Sequence, residues 1–162
     1  MIEFKPITDF NPGKIQELTK NCYRGLLEYF PNEKNRLYNK WENEDKLAFQ
    51  NIDTIGRHIL FSCVENKTIG FFSWDDRQFP NCIIGQNCIL PDFQGHGYGT
   101  RQIEKIIDIL KIENFKFLFA ETGDHKFFKP AHKMYEKNGF KIKEKRKGDL
   151  FELIEYFMEL NG

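Results

Sequence analysis

The sequence lacks the features of a membrane protein and of a polyelectrolyte. It has no run approaching the roughly 20 consecutive apolar residues that a spanning helix needs, and its mean hydropathy is −0.59. Neither sign of charge is in surplus, because 24 Lys and Arg residues balance 24 Asp and Glu residues. Since neutralising nucleic-acid phosphates needs a basic surplus or stripe, we expect no nucleic-acid partner. Because the sequence has no long apolar run, we expect no membrane partner either. The first ten residues hold no apolar block, so we expect no signal peptide and a cytoplasmic location.

Cysteine is scarce and scattered. The four cysteines, Cys22, Cys63, Cys82 and Cys88, form no CxxC pair, and the histidines do not add the usual spacing of zinc ligands. A disulfide framework is not expected in a chain of this length without a secretion signal. We therefore predict reduced, buried thiols and no bound metal.

Nothing in the sequence divides the chain. No internal repeat, low-complexity tract or linker rich in Pro, Gly or Ser interrupts it, so we predict a single domain over residues 1–162. Changes in hydrophobic period predict the element order β-α-α-β-β-β-α-β-α-β-β. The first helix is predicted to begin at an Asn11 cap with Pro12 in its first turn and to extend through Tyr29. Residues 75–81 are predicted to form a polar loop.

A glycine-rich loop joins a predicted buried strand to a predicted amphipathic helix. Gly95, Gly97 and Gly99 alternate with other residues in this loop, so its backbone can bend tightly and approach a ligand. Successive N–H groups that open onto a helix N-terminus form a cradle for phosphate oxygens. A P-loop is excluded because no Gly-Lys-Ser/Thr occurs, and a dinucleotide fingerprint is disfavoured because Thr100 stands where its third glycine would be.

Two segments of the sequence resemble motifs of one protein superfamily. Gln94-x-x-Gly97-x-Gly99 is similar to the pyrophosphate-binding loop of the GNAT superfamily of acyl-CoA-dependent N-acetyltransferases, and Ala131-x-x-x-Tyr135-Glu136-x-x-Gly139-Phe140 resembles a later helix end of the same superfamily. The resemblance covers residues 59–160. It implies an α/β fold with a mixed, mostly antiparallel sheet that is splayed in the middle and flanked by helices.

The resemblance also implies a cosubstrate and a set of residues that bind it. Acetyl-CoA would lie in the gap of the sheet and would need no metal. Its pantetheine arm would pair near the end of one strand and its pyrophosphate would take amides of the loop, which assigns cofactor binding to Ile89, Leu90, Gln94, Gly95, His96, Gly97, Tyr98, Gly99 and Thr100. The sequence departs from the superfamily at Phe128, where many relatives carry an asparagine that touches the pantetheine arm.

Two residues are candidate catalysts. Tyr135 matches the superfamily tyrosine that faces the CoA sulfur and is expected to protonate the leaving thiolate, although a core tyrosine would also fit its position. Glu121 ends a strand beside the expected cleft, where its carboxylate could accept a proton from an amine, and its alternative is an exposed strand-end charge. The basic run Lys141–Lys147 is interpreted as a solvated strand face, with attraction of the CoA phosphate or of an acidic substrate as the alternative.

The predicted activity is transfer of an acetyl group from acetyl-CoA to an amine by direct attack in a ternary complex. The acceptor would be a small molecule, a peptide or a protein, and a homodimer is left open. The alternatives are a non-catalytic CoA-binding sensor or interaction module, and a nucleotide-binding regulatory domain that would bind ATP or NAD instead.

Overall fold

A computed structural model describes residues 1–160 of the protein, and the chain forms two compact units. The first unit comprises residues 1–73 and 86–98, and the second comprises residues 74–85 and the chain from Gly99 onward. The last two residues of the predicted domain 1–162 lie outside the described residues. That all of this forms one domain stays a prediction.

The described chain contains seven strands and five α-helices, with several short 3-10 turns between them. The elements of the N-terminal half are β1 (Ile2–Pro6), α1 (Lys14–Cys22), α2 (Arg24–Tyr29), α3 (Lys34–Gln50), β2 (Ile59–Val64), β3 (Lys67–Gln78) and β4 (Asn81–Ile89). Those of the C-terminal half are α4 (Tyr98–Ile112), β5 (Phe117–Gly123), α5 (Lys129–Lys137), β6 (Lys141–Arg146) and β7 (Leu153–Glu159). Strands β3 and β4 each run through both units.

The strands form one mixed sheet in the order β1-β2-β3-β4-β5-β7-β6. Strand β1 pairs antiparallel with β2, β2 with β3, β5 with β7 and β6 with β7, whereas β4 and β5 run parallel. The parallel register covers only residues 81–83 of β4 and residues 117–119 of β5, at the N-terminal ends of both strands. The predicted fold class, a mostly antiparallel open sheet flanked by helices, is confirmed.

Helix α1 begins later than predicted because its cap comes from a distant residue. The Asn11 cap is wrong: the helix begins at Lys14 after Gly13, whose φ of 100° lies in the left-handed region that glycine adopts without strain. The Gly13 N–H donates to Asp45 Oδ1 at 2.8 Å, and the Gln16 N–H donates to Asp45 Oδ2 at 3.0 Å. Asp45 lies on α3 and is buried, so this carboxylate satisfies two of the amides that a helix start leaves unpaired.

The first predicted helix is also broken into two, α1 and α2, at Tyr23. The Tyr23 ring stacks on Trp41 at a centroid distance of 5.7 Å, and its hydroxyl donates to Gln86 Oε1 at 3.1 Å. These tertiary contacts hold Tyr23 outside the helical conformation, at φ −103° and ψ 15°. The buried stripe continues across the break from Ile15 to Leu26, although Tyr29 is exposed, and this is why the sequence shows a single apolar period.

The predicted polar loop at residues 75–81 is wrong. Strand β3 continues to Gln78 and β4 begins at Asn81, so only Phe79 and Pro80 connect them. Two of the charged side chains in this segment pair with each other along the strand: Arg77 Nε donates to Asp75 Oδ1 at 2.8 Å, and Arg77 Nη2 donates to Asp75 Oδ2 at 2.6 Å.

Candidate functional site

The glycine-rich loop has a backbone suited to an anion. A short 3-10 turn at Pro91–Phe93 precedes the loop, and α4 begins at Tyr98. Gly95 and Gly97 have φ values of 81° and 82°, and a Cβ added at either glycine would meet no atom within 4 Å. Left-handed residues alternating with ordinary ones turn successive N–H groups toward one side, where the helix N-terminus adds partial positive charge. The loop therefore presents an open, exposed backbone whose geometry suits an anion.

The side chain of Gln94 ties this loop to the end of β4. Its Nε2 donates to the carbonyl oxygen of Ile89 at 2.9 Å. The neighbouring Leu90 uses both backbone groups within the fold, since its N–H donates to Ile69 O at 2.7 Å and its carbonyl accepts from the Phe93 N–H at 2.9 Å. A ligand at this strand end therefore meets a backbone that Gln94 already holds in place.

The third glycine of the motif differs from the other two. Gly99 is the second residue of α4, and a Cβ there would lie 2.8 Å from Met134 Sδ on α5. The next residue, Thr100, accepts a hydrogen bond at its Oγ1 from Asn138 Nδ2 at 3.3 Å. Gly99 and Thr100 thus serve the packing of α4 against α5, and the tight bend that we expected from three glycines comes from the first two.

His96 and Tyr98 complete the predicted loop. Their rings are 6.0 Å apart and tilted by 43°, and His96 is exposed whereas Tyr98 is half-buried. The prediction that these residues contact a cofactor has no test in the structure and stays a prediction.

Tyr135 is a buried phenol at the C-terminal part of α5. Its side chain is only 4% exposed and packs edge-on against Phe140 and beside Tyr156, at centroid distances of 5.1 and 5.4 Å. Burial, and to a lesser extent the neighbouring Tyr156, raises the pKa of Tyr135 well above its usual value. Within residues 1–160 its hydroxyl has no hydrogen-bond partner. The side chain is thus a protonated donor at neutral pH with its hydrogen unused.

Glu121 and Tyr135 lie on opposite sides of the ladder that strands β5 and β7 form. Ala120 of β5 is in register with Tyr156 of β7, and Glu121 is in register with Glu155. Because successive side chains in a strand point to opposite faces, Glu121 is on the face away from Tyr156 and hence from Tyr135. The structure therefore places the two predicted catalytic residues on opposite faces of the β5–β7 ladder.

A pocket of about 440 Å³ lies on the Glu121 face of the second unit. Its walls come from β3, β4, β5, β6 and β7, and its lining residues are Gln78, Asn81, Ile83, Ile84, Gly85, Phe119, Ala120, Glu121, Lys143, Arg146 and Glu155. Arg146 forms an ion pair with Glu121, and Lys143 Nζ lies 3.4 Å from Glu155 Oε1 and 5.2 Å from the centre of the Phe119 ring. The pocket thus combines two carboxylates and two cations with an aromatic and aliphatic wall.

Part of this pocket was not predicted from the sequence. Lys143 and Arg146 belong to the basic run that we interpreted as a solvated strand face, and Glu155 was not singled out at all. The ladder register that sets Glu155 opposite Glu121 is a long-range property. The direction of Lys143 is also hard to predict, because β6 contains a bulge. The register with β7 shifts between Ile142 and Glu144, so Lys143 is an extra residue in the strand. Simple alternation of side chains therefore does not give the face on which Lys143 lies.

Phe128, where the sequence departs from the GNAT pattern, is used in local packing. It precedes α5, its ring meets Phe127 and Phe151 edge-on at 5.0 and 5.3 Å, and a Cβ on Gly123 would lie 2.7 Å from it. Gly123 also supplies a carbonyl that lies 2.8 Å from His132 Nε2. This aromatic cluster fixes the start of α5, the helix that carries Tyr135.

The chain matches a known protein family over most of its length. The model of the acetyltransferase (GNAT) family matches residues 15–140. The chain belongs to the GNAT acetyltransferase family. This GNAT chain is 30% identical over 142 residues to an uncharacterised N-acetyltransferase of Methanocaldococcus jannaschii; the match covers 82% of this chain, which spans 57% of the length of that relative.

Solved structures share the GNAT fold of the chain. A GNAT-family protein from Desulfovibrio desulfuricans superposes with a TM-score of 0.77 at 15% identity, over 99% of each chain. A GNAT-family acetyltransferase from Elizabethkingia anophelis, solved with acetyl-CoA bound, superposes with a TM-score of 0.59 at 21% identity, over 70% of this chain and 82% of that one.

Each helix between residues 1 and 160 is too short or too polar to span a bilayer. In the same described range, no three His, Cys, Asp or Glu side chains come together as metal ligands would.

Proposed function

We propose that this GNAT-family chain transfers an acetyl group from acetyl-CoA to an amine by direct attack in a ternary complex. Two comparisons support the proposal: the relative from Methanocaldococcus jannaschii carries the name N-acetyltransferase, and the structure from Elizabethkingia anophelis contains acetyl-CoA. The proposal treats residues 1–162 as one catalytic domain.

The loop at Gly95 and Gly97 is the observation that carries the proposal. Its two left-handed glycines leave open space where side chains would otherwise stand, and its amides lead directly into the N-terminus of α4. Each contact of an anion with a helix N-terminus is worth roughly 0.3–1 kcal/mol, so several loop amides together hold a pyrophosphate with useful affinity.

The bond changes assign one task to each proposed catalytic residue. The amine nitrogen attacks the thioester carbon, the C–S bond breaks, and the products are an amide and the CoA thiol. Tyr135 has its hydrogen free, so it donates a hydrogen bond to the departing thiolate and then its proton. Burial raises the pKa of Tyr135, which keeps the phenol protonated until the thiolate forms but makes it a weaker acid. Glu121 acts from the opposite face of the β5–β7 ladder, where it accepts the proton that the amine loses, directly or through water. An alkylamine with a pKa near 10.4 is neutral in only about one molecule in 10³ at pH 7.

Calorimetric titration of acetyl-CoA into two glycine variants tests the proposal. We expect Gly97→Asp to weaken binding by about tenfold or more, because the new side chain fills the open cradle and places negative charge beside phosphate, a loss of at least about 1.4 kcal/mol. Gly139→Asp is the matched control: Gly139 also has a positive φ, 90°, and no atom within 4 Å of a Cβ, but it follows α5. Equal affinity in both folded variants would remove the loop from cofactor binding.

Turnover separates the enzyme from the non-catalytic alternative. The enzyme releases the CoA thiol from acetyl-CoA in proportion to added acceptor amine. A sensor or interaction module binds acetyl-CoA with the same dependence on Gly97 but releases no thiol with any amine.

A further inference from the structure

The four charged side chains of the pocket form two ion pairs, and both of their cations are about half-exposed. Lys143 contacts Glu155 and also lies over the Phe119 ring, so two interactions fix it. Arg146 pairs with Glu121, and its side chain is 54% exposed. Half-exposed ion pairs contribute little to folding, because water solvates the separated charges almost as well. The Glu121–Arg146 pair can therefore open at small cost.

The strand register makes that pair sensitive to what enters the pocket. Glu121 and Glu155 stand directly opposite each other on β5 and β7, a like-charge arrangement that is unfavourable unless cations offset it. Lys143 and Arg146 supply those cations, so the four groups together carry no net charge. A ligand that removes Arg146 from Glu121 must bring a positive group to replace it.

The need to keep every charge in the pocket paired distinguishes among acceptor amines. An ammonium ion alone adds one positive charge to a neutral set and competes with Arg146 for Glu121. A ligand with both an ammonium and a carboxylate exchanges partners instead: its carboxylate takes the guanidinium of Arg146 and its ammonium takes Glu121. Each charge keeps a partner, and the planar guanidinium suits a carboxylate in bidentate fashion.

We infer that the acceptor is a small zwitterion of the α-amino acid class, with its carboxylate on Arg146 and its amino group on Glu121. The inference rests on the proposed acetyl transfer and specifies its substrate. The volume of about 440 Å³ supports a small molecule, because sites for such ligands fall roughly between 300 and 1,000 Å³. The exchange also brings the reacting amine to the carboxylate that we propose as its base.

An acceptor panel tests the inference. The L-α-amino acids are compared with their carboxamides, which keep the amine and remove the negative charge, and with alkyl diamines and short peptides. The readout is acetyl-CoA-dependent thiol release as kcat/KM. We expect the acids to exceed their amides by about tenfold or more, the low end for a charge-assisted hydrogen bond that is half-exposed.

Two variants locate the preference. Arg146→Gln is expected to bring the acid-to-amide ratio to within about twofold of one, mainly through a higher KM for the acids. Lys145→Gln is the matched control, because Lys145 is the preceding residue, is 52% exposed and pairs with Asp124 at 3.5 Å, yet does not line the pocket. It is expected to keep the wild-type ratio.

The outcomes separate this inference from the proposed function. Acetyl-CoA binding together with turnover of diamines or peptides, and with equal rates on acids and amides, overturns the zwitterionic acceptor and leaves acetyl transfer standing. A ratio that falls equally in Arg146→Gln and Lys145→Gln overturns the assignment of the carboxylate to Arg146. Failure of wild-type protein to bind acetyl-CoA in the calorimeter overturns both proposals.

Discussion

The substitution Tyr135→Phe isolates one hydroxyl in the proposed mechanism. The ring is almost fully buried against Phe140 and Tyr156, and phenylalanine retains those contacts. The hydroxyl has no hydrogen-bond partner within residues 1–160, so its removal leaves no other group unpaired. We therefore expect the free energy of unfolding to change by less than about 1 kcal/mol, since the cost of losing a hydrogen bond arises mainly from the partner left unsatisfied.

The rate is expected to change far more than the stability. General acid catalysis is typically worth about 10²–10⁴-fold, or roughly 3–5 kcal/mol of transition-state stabilisation. The kcat of Tyr135→Phe should fall by that factor, while acetyl-CoA affinity stays constant, because the negative charge on sulfur develops only during transfer. The raised pKa of Tyr135 adds a second expectation: the phenol stays protonated beyond pH 10, so its ionisation does not reduce the wild-type rate between pH 7 and 10.

The assay is thiol release at saturating acetyl-CoA and acceptor, combined with thermal unfolding of the same samples. Tyr156→Phe is the matched control, because it removes a hydroxyl from the adjacent buried ring and is expected to leave kcat within about twofold of wild type. A Tyr135→Phe enzyme within about twofold of wild type, with chemistry shown to limit turnover, would refute the reasoning and make Tyr135 a core residue.

Three further predictions concern the base, the sheet and the helix cap. Glu121→Gln should lower kcat/KM most near pH 7 and recover part of the loss near pH 9, where more of the amine is already neutral; a pH profile parallel to wild type would place the base elsewhere. Gly70→Ala should destabilise the protein by about 3 kcal/mol or more in urea unfolding, because its Cβ would lie 2.1 Å from the Cys88 carbonyl oxygen; an unchanged midpoint would contradict this contact. Asp45→Ala should cost about 1–3 kcal/mol of unfolding free energy, since two amides at the start of α1 lose their acceptor, whereas Asp53→Ala, at an exposed residue, should be near neutral.

Much of the fold could be predicted because the signals are local. The alternation in β1 and the helical stripe in α4 arise from which face of each element is buried, so they are present in the sequence itself. The loop at Gly95 and Gly97 was predictable for the same reason, since a left-handed backbone calls for glycine at those positions. The helix end at Gly139, with a φ of 90°, is a third local signal.

The partners of individual side chains were decided by the tertiary structure. Asp45 caps helix α1, which begins at Lys14, 31 residues earlier in the chain. Tyr23 ends that helix because Trp41 holds its ring and Gln86 holds its hydroxyl. No local pattern encodes such pairings, because they depend on how distant segments come together.

The charge pattern of the pocket shows the same division most clearly. By itself the sequence predicted that Glu121 ends a strand, whereas β5 continues to Gly123, and it showed that Lys143 and Arg146 lie in a basic segment. Only the antiparallel register of β5 with β7 sets Glu155 against Glu121, and only the bulge in β6 turns Lys143 toward them. Side-chain direction in a strand follows from its own alternation, but which side chain stands opposite depends on the register, and the register is set by hydrogen bonds between segments far apart in the chain.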